Sequence, residues 1–242
     1  MSSGVDDDIE ERFAGNRLFL WDGNADLDLA PVWFSNQREF SRMSSSTISV
    51  DGTDSRGVAW ADYDNDGFED VIIVESGSSS RNDLFKNNGN GTFSQITVGP
   101  IGNDTGDSRT ACWGDYNNDG YIDLYVTNLG GQNNFLYKNN GDGTFTRNTT
   151  DVSVTVGGNS VGAVWADFNS DGFLDLFVAN SSGEMNFLFM NNGDESFTRI
   201  TQGIVSTDLG DSRGCAAADY DNDGDVDLFV ANGGDNEYDD LY

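Results

Sequence analysis

Four short stretches of this chain concentrate side-chain oxygen at fixed intervals. They read Asp62-Tyr-Asp-Asn-Asp-Gly67, Asp115-Tyr-Asn-Asn-Asp-Gly120, Asp167-Phe-Asn-Ser-Asp-Gly172 and Asp219-Tyr-Asp-Asn-Asp-Gly224, each followed three residues on by another aspartate. The shared pattern is Asp-x-[Asp/Asn]-x-Asp-Gly-x-x-Asp. Side chains at positions 1, 3 and 5 converge when the backbone curls, glycine at position 6 permits the sharp turn, and the carbonyl at position 7 faces inward. The pattern therefore predicts four oxygen cages. Asp62, Asp64, Asp66 and Asp70 with the Phe68 carbonyl form the first, and Asp115, Asn117, Asp119 and Asp123 with the Tyr121 carbonyl form the second. Asp167, Asn169, Asp171 and Asp175 with the Phe173 carbonyl form the third. Asp219, Asp221, Asp223 and Asp227 with the Asp225 carbonyl form the fourth.

Carboxylates gathered this closely repel one another unless a cation neutralises them. Oxygen-only ligands in a large, flexible cage suit calcium over magnesium, so the expected cofactor is Ca2+, about four ions, one per loop. An EF-hand is excluded, because its twelfth position needs Glu and these loops have Ile73, Val126, Val178 and Val230 there. A single such loop could be an acidic turn without an ion, since Asp, Asn and Gly favour turns anyway. Four copies carrying every feature disfavour that alternative. The chain has no histidine and 2 cysteines, which excludes a Ser-His-Asp triad, a Cys-His pair, His-ligated zinc and a four-thiolate site. Most repeat-fixed aspartates are committed to the cages, so no carboxylate pair is left for glycoside hydrolysis. The expectation is a protein that is not an enzyme.

The elements that hold these loops are legible as repeats. The first aspartates recur after 53, 52 and 52 residues. A small-and-apolar run, Val58 to Asp62 in the first copy, enters each loop, and a β-branched or aromatic run leaves it: Val71–Val74, Leu124–Val126, Leu176–Val178 and Leu228–Val230. A hairpin follows, Leu84-Phe-Lys-Asn-Asn-Gly-Asn-Gly-Thr-Phe93, recurring from Leu136 to Phe145 and from Leu188 to Phe197. Four strands in ~50 residues without helical periodicity predict an all-β fold, a β-propeller of four-stranded blades with calcium loops. A worn fifth copy is expected upstream, where Asp22-Gly-Asn-Ala-Asp26 aligns with Asp119–Asp123 but Leu18 and Leu20 replace the first loop oxygens. The final copy stops at Asp240-Leu-Tyr242, the opening of a third strand. About five repeats are therefore present. Either the N-terminal segment supplies the missing strand and closes the ring, or the chain is part of a larger ring of six or seven blades, the reading favoured because the worn copy has strands of its own. The expected domain division is an acidic disordered tail over 1–12, a degenerate blade over 13–53 and four repeats over 54–242, the last incomplete.

Composition narrows the partners. With 12 Lys and Arg against 42 Asp and Glu, the formal charge is -30. That excludes the basic footprint nucleic acid requires and opposes attraction to an anionic membrane. No apolar run reaches the ~20 residues of a membrane helix, so no direct membrane insertion is expected. Aromatic residues at 12% argue against disorder.

The loops resemble the FG-GAP repeats, also called VCBS repeats, of integrin α-subunit heads. The fuller phrase, Ala-Asp-Tyr-Asp-Asn-Asp-Gly followed by Asn-x-Leu-[Phe/Tyr]-x-Asn-Asn-Gly-Asp-Gly-Thr-Phe, is closer to cartilage-acidic-protein-like and bacterial VCBS proteins. The resemblance covers roughly 57–242, with a weak extension back to Arg17. It implies a calcium-binding β-propeller, extracellular or at the cell surface, acting in adhesion, recognition or assembly. The implied partner is a protein or a surface assembly. The alternative is a calcium-dependent lectin whose partner is a glycan, with a carbohydrate-active enzyme a weaker third reading.

Other recurring residues carry expectations of their own. Trp60, Trp113 and Trp165 stand two residues before each first aspartate and are expected to pack between repeats rather than to stack sugars. Arg56, Arg109 and Arg213, each in an Asp-Ser-Arg phrase, are expected to pair with nearby carboxylates. Cys112 and Cys215 occupy non-equivalent positions and are expected to be free thiols. Of the Asn-x-Ser/Thr sequences, Asn90 is expected to be a turn residue, and Asn103 and Asn148 to be glycan acceptors if the chain is secreted.

Overall fold

The computed structural model describes residues 19–21, 40–42, 47–49, 54–207, 209–233 and 238–242. The chain divides into two units, Met1–Thr53 and Asp54–Tyr242. In the first, β1 (Phe19–Trp21) pairs antiparallel with β2 (Phe40–Arg42), and a 3-10 turn spans Thr47–Ser49. The acidic tail and the Asp22–Asp26 segment of the worn copy lie outside the described residues.

The second unit is built from repeated antiparallel sheets. The first comprises β3 (Ser55–Ala61), β4 (Asp70–Glu75), β5 (Asp83–Asn87) and β6 (Phe93–Ile96). The next comprises β7 (Ser108–Gly114), β8 (Asp123–Asn128), β9 (Phe135–Asn139) and β10 (Phe145–Asn148), followed by the helical turn α1 (Val152–Thr155). In the third, β11 (Ser160–Ala166) and β12 (Asp175–Asn180) precede a short β13 (Glu184–Met185). The sheet is completed by β14 (Phe187–Asn191) and β15 (Phe197–Ile200). After α2 (Ile204–Thr207), β16 (Leu209–Gly210) pairs with β13. The last sheet has three strands, β17 (Ser212–Ala218), β18 (Asp227–Asn232) and β19 (Asp240–Leu241).

The second strand of the first three sheets is buried throughout, matching its continuous apolar sequence. Each first strand carries a register shift just after its opening serine, at Ser55, Ser108, Ser160 and Ser212. That bulge sharpens the local twist.

Successive sheets pack face to face. Tyr63, Ile72 and Leu84 of the first meet Leu124, Val126, Tyr137 and Phe145 of the second. Tyr116, Tyr125 and Leu136 meet Leu176, Phe189 and Phe197 of the third. Phe177 and Ala179 meet Leu228 and Val230 of the last. Two of the three tryptophans pack in these junctions as expected, whereas Trp60 is 45% exposed and meets Phe93 of its own sheet. Trp113 stacks on Tyr63 at 6.3 Å between ring centroids, and Trp165 stacks on Tyr116 at 6.0 Å. Close approach at the first junction requires glycine, since a Cβ at Gly57 would lie 2.6 Å from the Arg109 carbonyl oxygen.

The all-β expectation holds, but the propeller does not. Among the described residues there are separate antiparallel sheets of up to four strands, and no sheet closes into a barrel or propeller. Here Tyr220, Phe229 and Leu241 of the last sheet are 62%, 43% and 52% exposed, whereas their counterparts Tyr63, Ile72 and Leu84 are at most 2% exposed. The sheets stay separate and none closes on another, which corrects the propeller that the strand count suggested.

Candidate metal centres

Each acidic loop joins the first strand of a sheet to its second, and its shape is set by its own side chains. In the first loop Asp62 accepts the backbone N–H groups of Asp66 (3.0 Å) and Gly67 (2.8 Å), and Asp66 accepts that of Phe68 at 3.0 Å. The same bonds recur on Asp115 and Asp119, on Asp167 and Asp171, and on Asp219 and Asp223. Position 4 is left-handed in every copy, at Asn65, Asn118, Ser170 and Asn222, and glycine at position 6 has φ between +89° and +100°. Asn and Gly tolerate this region. The left-handed asparagines also reach the next repeat: Asn65 Nδ2 donates to the Gly120 carbonyl and Asn118 Nδ2 to the Gly172 carbonyl.

The position 9 aspartate anchors loop to sheet. Asp70 accepts Tyr63 N–H and, at 2.6 Å, Asn87 N–H. Asp123 accepts Tyr116 and Asn139, and Asp175 accepts Phe168 and Asn191. All three carboxylates are fully buried. Burial pushes the Asp70 carboxyl up to about 6 and that of Asp123 up to about 7, against the bonds they accept, and raises Asp175 for the same reason.

Carboxylate oxygens come together in two of the four loops. Asp62, Asp64 and Asp70 each bring an oxygen within 4.8 Å of the others, and so do Asp219, Asp221 and Asp227. Each cluster could coordinate a divalent ion. In the first, Asp64 Oδ1 is buried and has no hydrogen-bond partner, an orphaned oxygen that a cation would satisfy. The position 5 aspartates stand apart from these groups of three. Asp66 spends one oxygen on Phe68 N–H and receives Lys86 Nζ on the other at 2.7 Å. The second and third loops hold Asn117 and Asn169 at position 3, so they form no three-carboxylate group among the described residues. There Asn117 Nδ2 donates to Asp119 and Asn169 Nδ2 to Asp171, both at 2.9 Å.

Sequence reading missed Lys86. It reaches from the third strand to both Asp64 and Asp66, an internal counter-charge beside the first cluster. The corresponding Lys138 turns instead to Glu195 of the next hairpin, and the third repeat has Met190 at this position. The tripeptide arginines pair as expected with Asp54, Asp107 and Asp211. Cys112 and Cys215 are free. Asn90 is a turn residue, accepting Thr92 N–H as Asp142 accepts Thr144 N–H.

Repeats at this spacing, loops with this hydrogen bonding and sheets in this order define a repeat protein. Residues 62–126, 115–178 and 167–230 each match the family described as FG-GAP-like repeat, and the chain belongs to that family. A 117-residue stretch, 46% of the chain, is 37% identical to Cartilage acidic protein 1 of Xenopus tropicalis. It spans only 17% of that protein's length. Two solved structures are also similar. One is an Agrocybe aegerita lectin that recognises non-reducing terminal N-acetylglucosamine, with a TM-score of 0.49 and 20% identity over 74% of this chain and 47% of that one. The other is the V. cholerae biofilm matrix protein Bap1, with a TM-score of 0.41 and 18% identity over 74% of this chain and 35% of its own.

Proposed function

We propose that this chain is a calcium-binding repeat module of an extracellular or cell-surface protein, acting in adhesion or recognition, with another protein or a glycan as partner. The observation that carries the ion reading is the first cluster, where three carboxylates converge and Asp64 Oδ1 lacks any partner. On this reading Asp62, Asp64 and Asp70, and Asp219, Asp221 and Asp227, bind first. The second and third loops offer a neutral amide oxygen in place of one carboxylate and bind more weakly, through Asp115, Asn117, Asp119 and Asp123, and through Asp167, Asn169, Asp171 and Asp175. The position 5 aspartates and the carbonyls at position 7 complete each ligand set. Support for calcium is the chemistry of the donors, all of them oxygen in a glycine-turned loop. Support for the location is the related cartilage protein and the charge of -30, which suits calcium-rich surroundings.

Native mass spectrometry and thermal unfolding test the reading together. Calcium is expected to add up to about four ions, and removing it to lower the melting temperature, since an ion at about 100 times its Kd adds about 2.7 kcal/mol per site. A protein that takes up no calcium at millimolar concentration, or melts identically in chelator, would falsify it.

A further inference from the structure

We propose that the cavity between the third and last sheets, at the end away from the acidic loops, binds one residue of a neutral sugar. The cavity lies at a position where the repeats carry either a ring or a carboxylate, the first and last having Asp83 and Asp240. At the start of their third strands the second and third repeats carry Phe135 and Phe187, both buried, with an arginine guanidinium 4.4 Å above each ring. These rings fill the junction with the preceding sheet: a Cβ on Gly106 would meet Phe135 at 3.0 Å, and one on Gly158 would meet Phe187 at 3.1 Å. The corresponding residue of the last repeat is Asp240, and the corresponding glycine, Gly210, faces Asn232 and Ser212 with no ring beside it. The space left is about 210 Å3, lined by Asn186, Gly210, Ser212, Asn232, Tyr238 and Asp240 among others.

Its polar groups are arranged for a ligand. Asn186 is 4% exposed, and its Oδ1 is used by Asn180 N–H at 2.8 Å. Its Nδ2 has no partner among the described residues, whereas Asn134 Nδ2 at the preceding junction donates to Ser160 Oγ at 3.0 Å. Ser212 Oγ donates to Asn232 Oδ1, and Asn232 Nδ2 donates to Asp240 Oδ2 at 2.7 Å. That leaves Asp240 Oδ1 as an acceptor in the cavity that Asn186 also lines. With no protein acceptor, the Asn186 amide is left to a ligand or water in the cavity it lines.

The chemistry selects the ligand class. An anion is opposed by Asp240 and by the net charge of -30, and a metal ion by the Asn186 amide hydrogens. Adjacent neutral hydroxyls answer both groups, one donating to Asp240 and one accepting from Asn186. Tyr238, 88% exposed at the mouth, offers an aromatic surface to the C–H face of a pyranose. The volume suits about a dozen non-hydrogen atoms, well below a drug-sized pocket. This inference rests on the recognition half of the proposed function and not on its ions.

The test is ligand-observed NMR on the full, calcium-loaded chain with glucose, galactose, mannose, xylose and N-acetylglucosamine. Saturable binding of at least one, in the millimolar range, is expected. Asp240→Phe, which restores the ring of the two preceding repeats, should weaken it at least about tenfold, with calcium uptake unchanged and the melting temperature kept or raised. Asp240→Asn, which keeps the shape and removes the charge, should weaken it less. No binding by any of the five at ~50 mM, or equal binding by Asp240→Phe, overturns the inference. Sugar binding retained in a protein that takes up no calcium sinks the ion reading and leaves this one standing.

Discussion

Lys86 is the residue whose replacement tests the first cluster most directly. Its ammonium group pairs with Asp64 and Asp66, and the three side chains are 30%, 16% and 34% exposed. A divalent ion entering between Asp62, Asp64 and Asp70 must displace that ammonium, so the ion's apparent affinity is reduced by whatever the two pairs contribute. Partly exposed pairs are worth about 0.2–1 kcal/mol each, so the two together amount to about 0.4–2 kcal/mol. Lys86→Met should therefore tighten the first site by roughly 2–30-fold. Methionine is what the third repeat carries at the same place, Met190, so the strand accepts it. Isothermal titration with calcium, repeated in an Asp62→Asn background, assigns the change to this loop. The same variant should be less stable than the parent in chelator, because Asp64 and Asp66 then face each other without a counter-charge. Unchanged or weaker calcium binding by Lys86→Met refutes the reasoning, since the lysine would then be a bystander or would shape the loop.

Two further perturbations probe the scaffold. Asn191, 4% exposed, donates to the Tyr116 carbonyl across the junction at 2.7 Å and to Leu174 at 3.0 Å, and accepts Gly193 N–H at 3.0 Å. Three bonds at about 1 kcal/mol each put the cost of Asn191→Ala at about 3 kcal/mol, a fall of about 6–12 °C in calorimetry. A fall below about 2 °C would show that the junction does not depend on this amide. Asp107 is shifted the other way from the loop anchors: burial acts to raise its pKa, but the Gly77 N–H, the Ser76 hydroxyl and Arg109 outweigh it and hold the carboxyl below its ordinary value. Its contribution is complete above about pH 4 and is lost as pH falls through the lowered folded value. In chelator, Asp107→Asn should show a shallower loss of stability below about pH 4 than the parent, and superimposable acid limbs would contradict the assignment.

What the sequence revealed was what its local patterns encode. The turn-forming Asp, Asn and Gly of the loops, the apolar runs around them and the Asn-Asn-Gly hairpins each dictate structure over fewer than about ten residues, and each appears where its pattern stands. Packing of Trp113 and Trp165 between sheets was legible because two-residue alternation fixes which face a strand residue takes. Closure was not legible, because strand count says nothing of whether the face bearing Phe229 and Leu241 is covered. The ligand sets were read as equal, yet Asn117 and Asn169 leave the middle loops without a third carboxylate, and Lys86 occupies two oxygens of the first. Asp240 reads as an ordinary strand opening, matched by Asp83 in the first repeat. Its consequence emerges only beside Phe135 and Phe187, whose rings stand at the same place.

The left-handed residue at each loop tip also decides how far a disturbance travels. Asn65 holds the second loop by the Gly120 carbonyl, and Asn118 holds the third by that of Gly172. Ser170 is too short to continue the chain of grips, and among the described residues nothing equivalent holds the Gly224 carbonyl. Three tips are thus yoked and the last is on its own. Stripped of ions, the molecule should shed its order in two instalments, with amide exchange around Asp219–Gly224 racing ahead while the other three tips slow one another down.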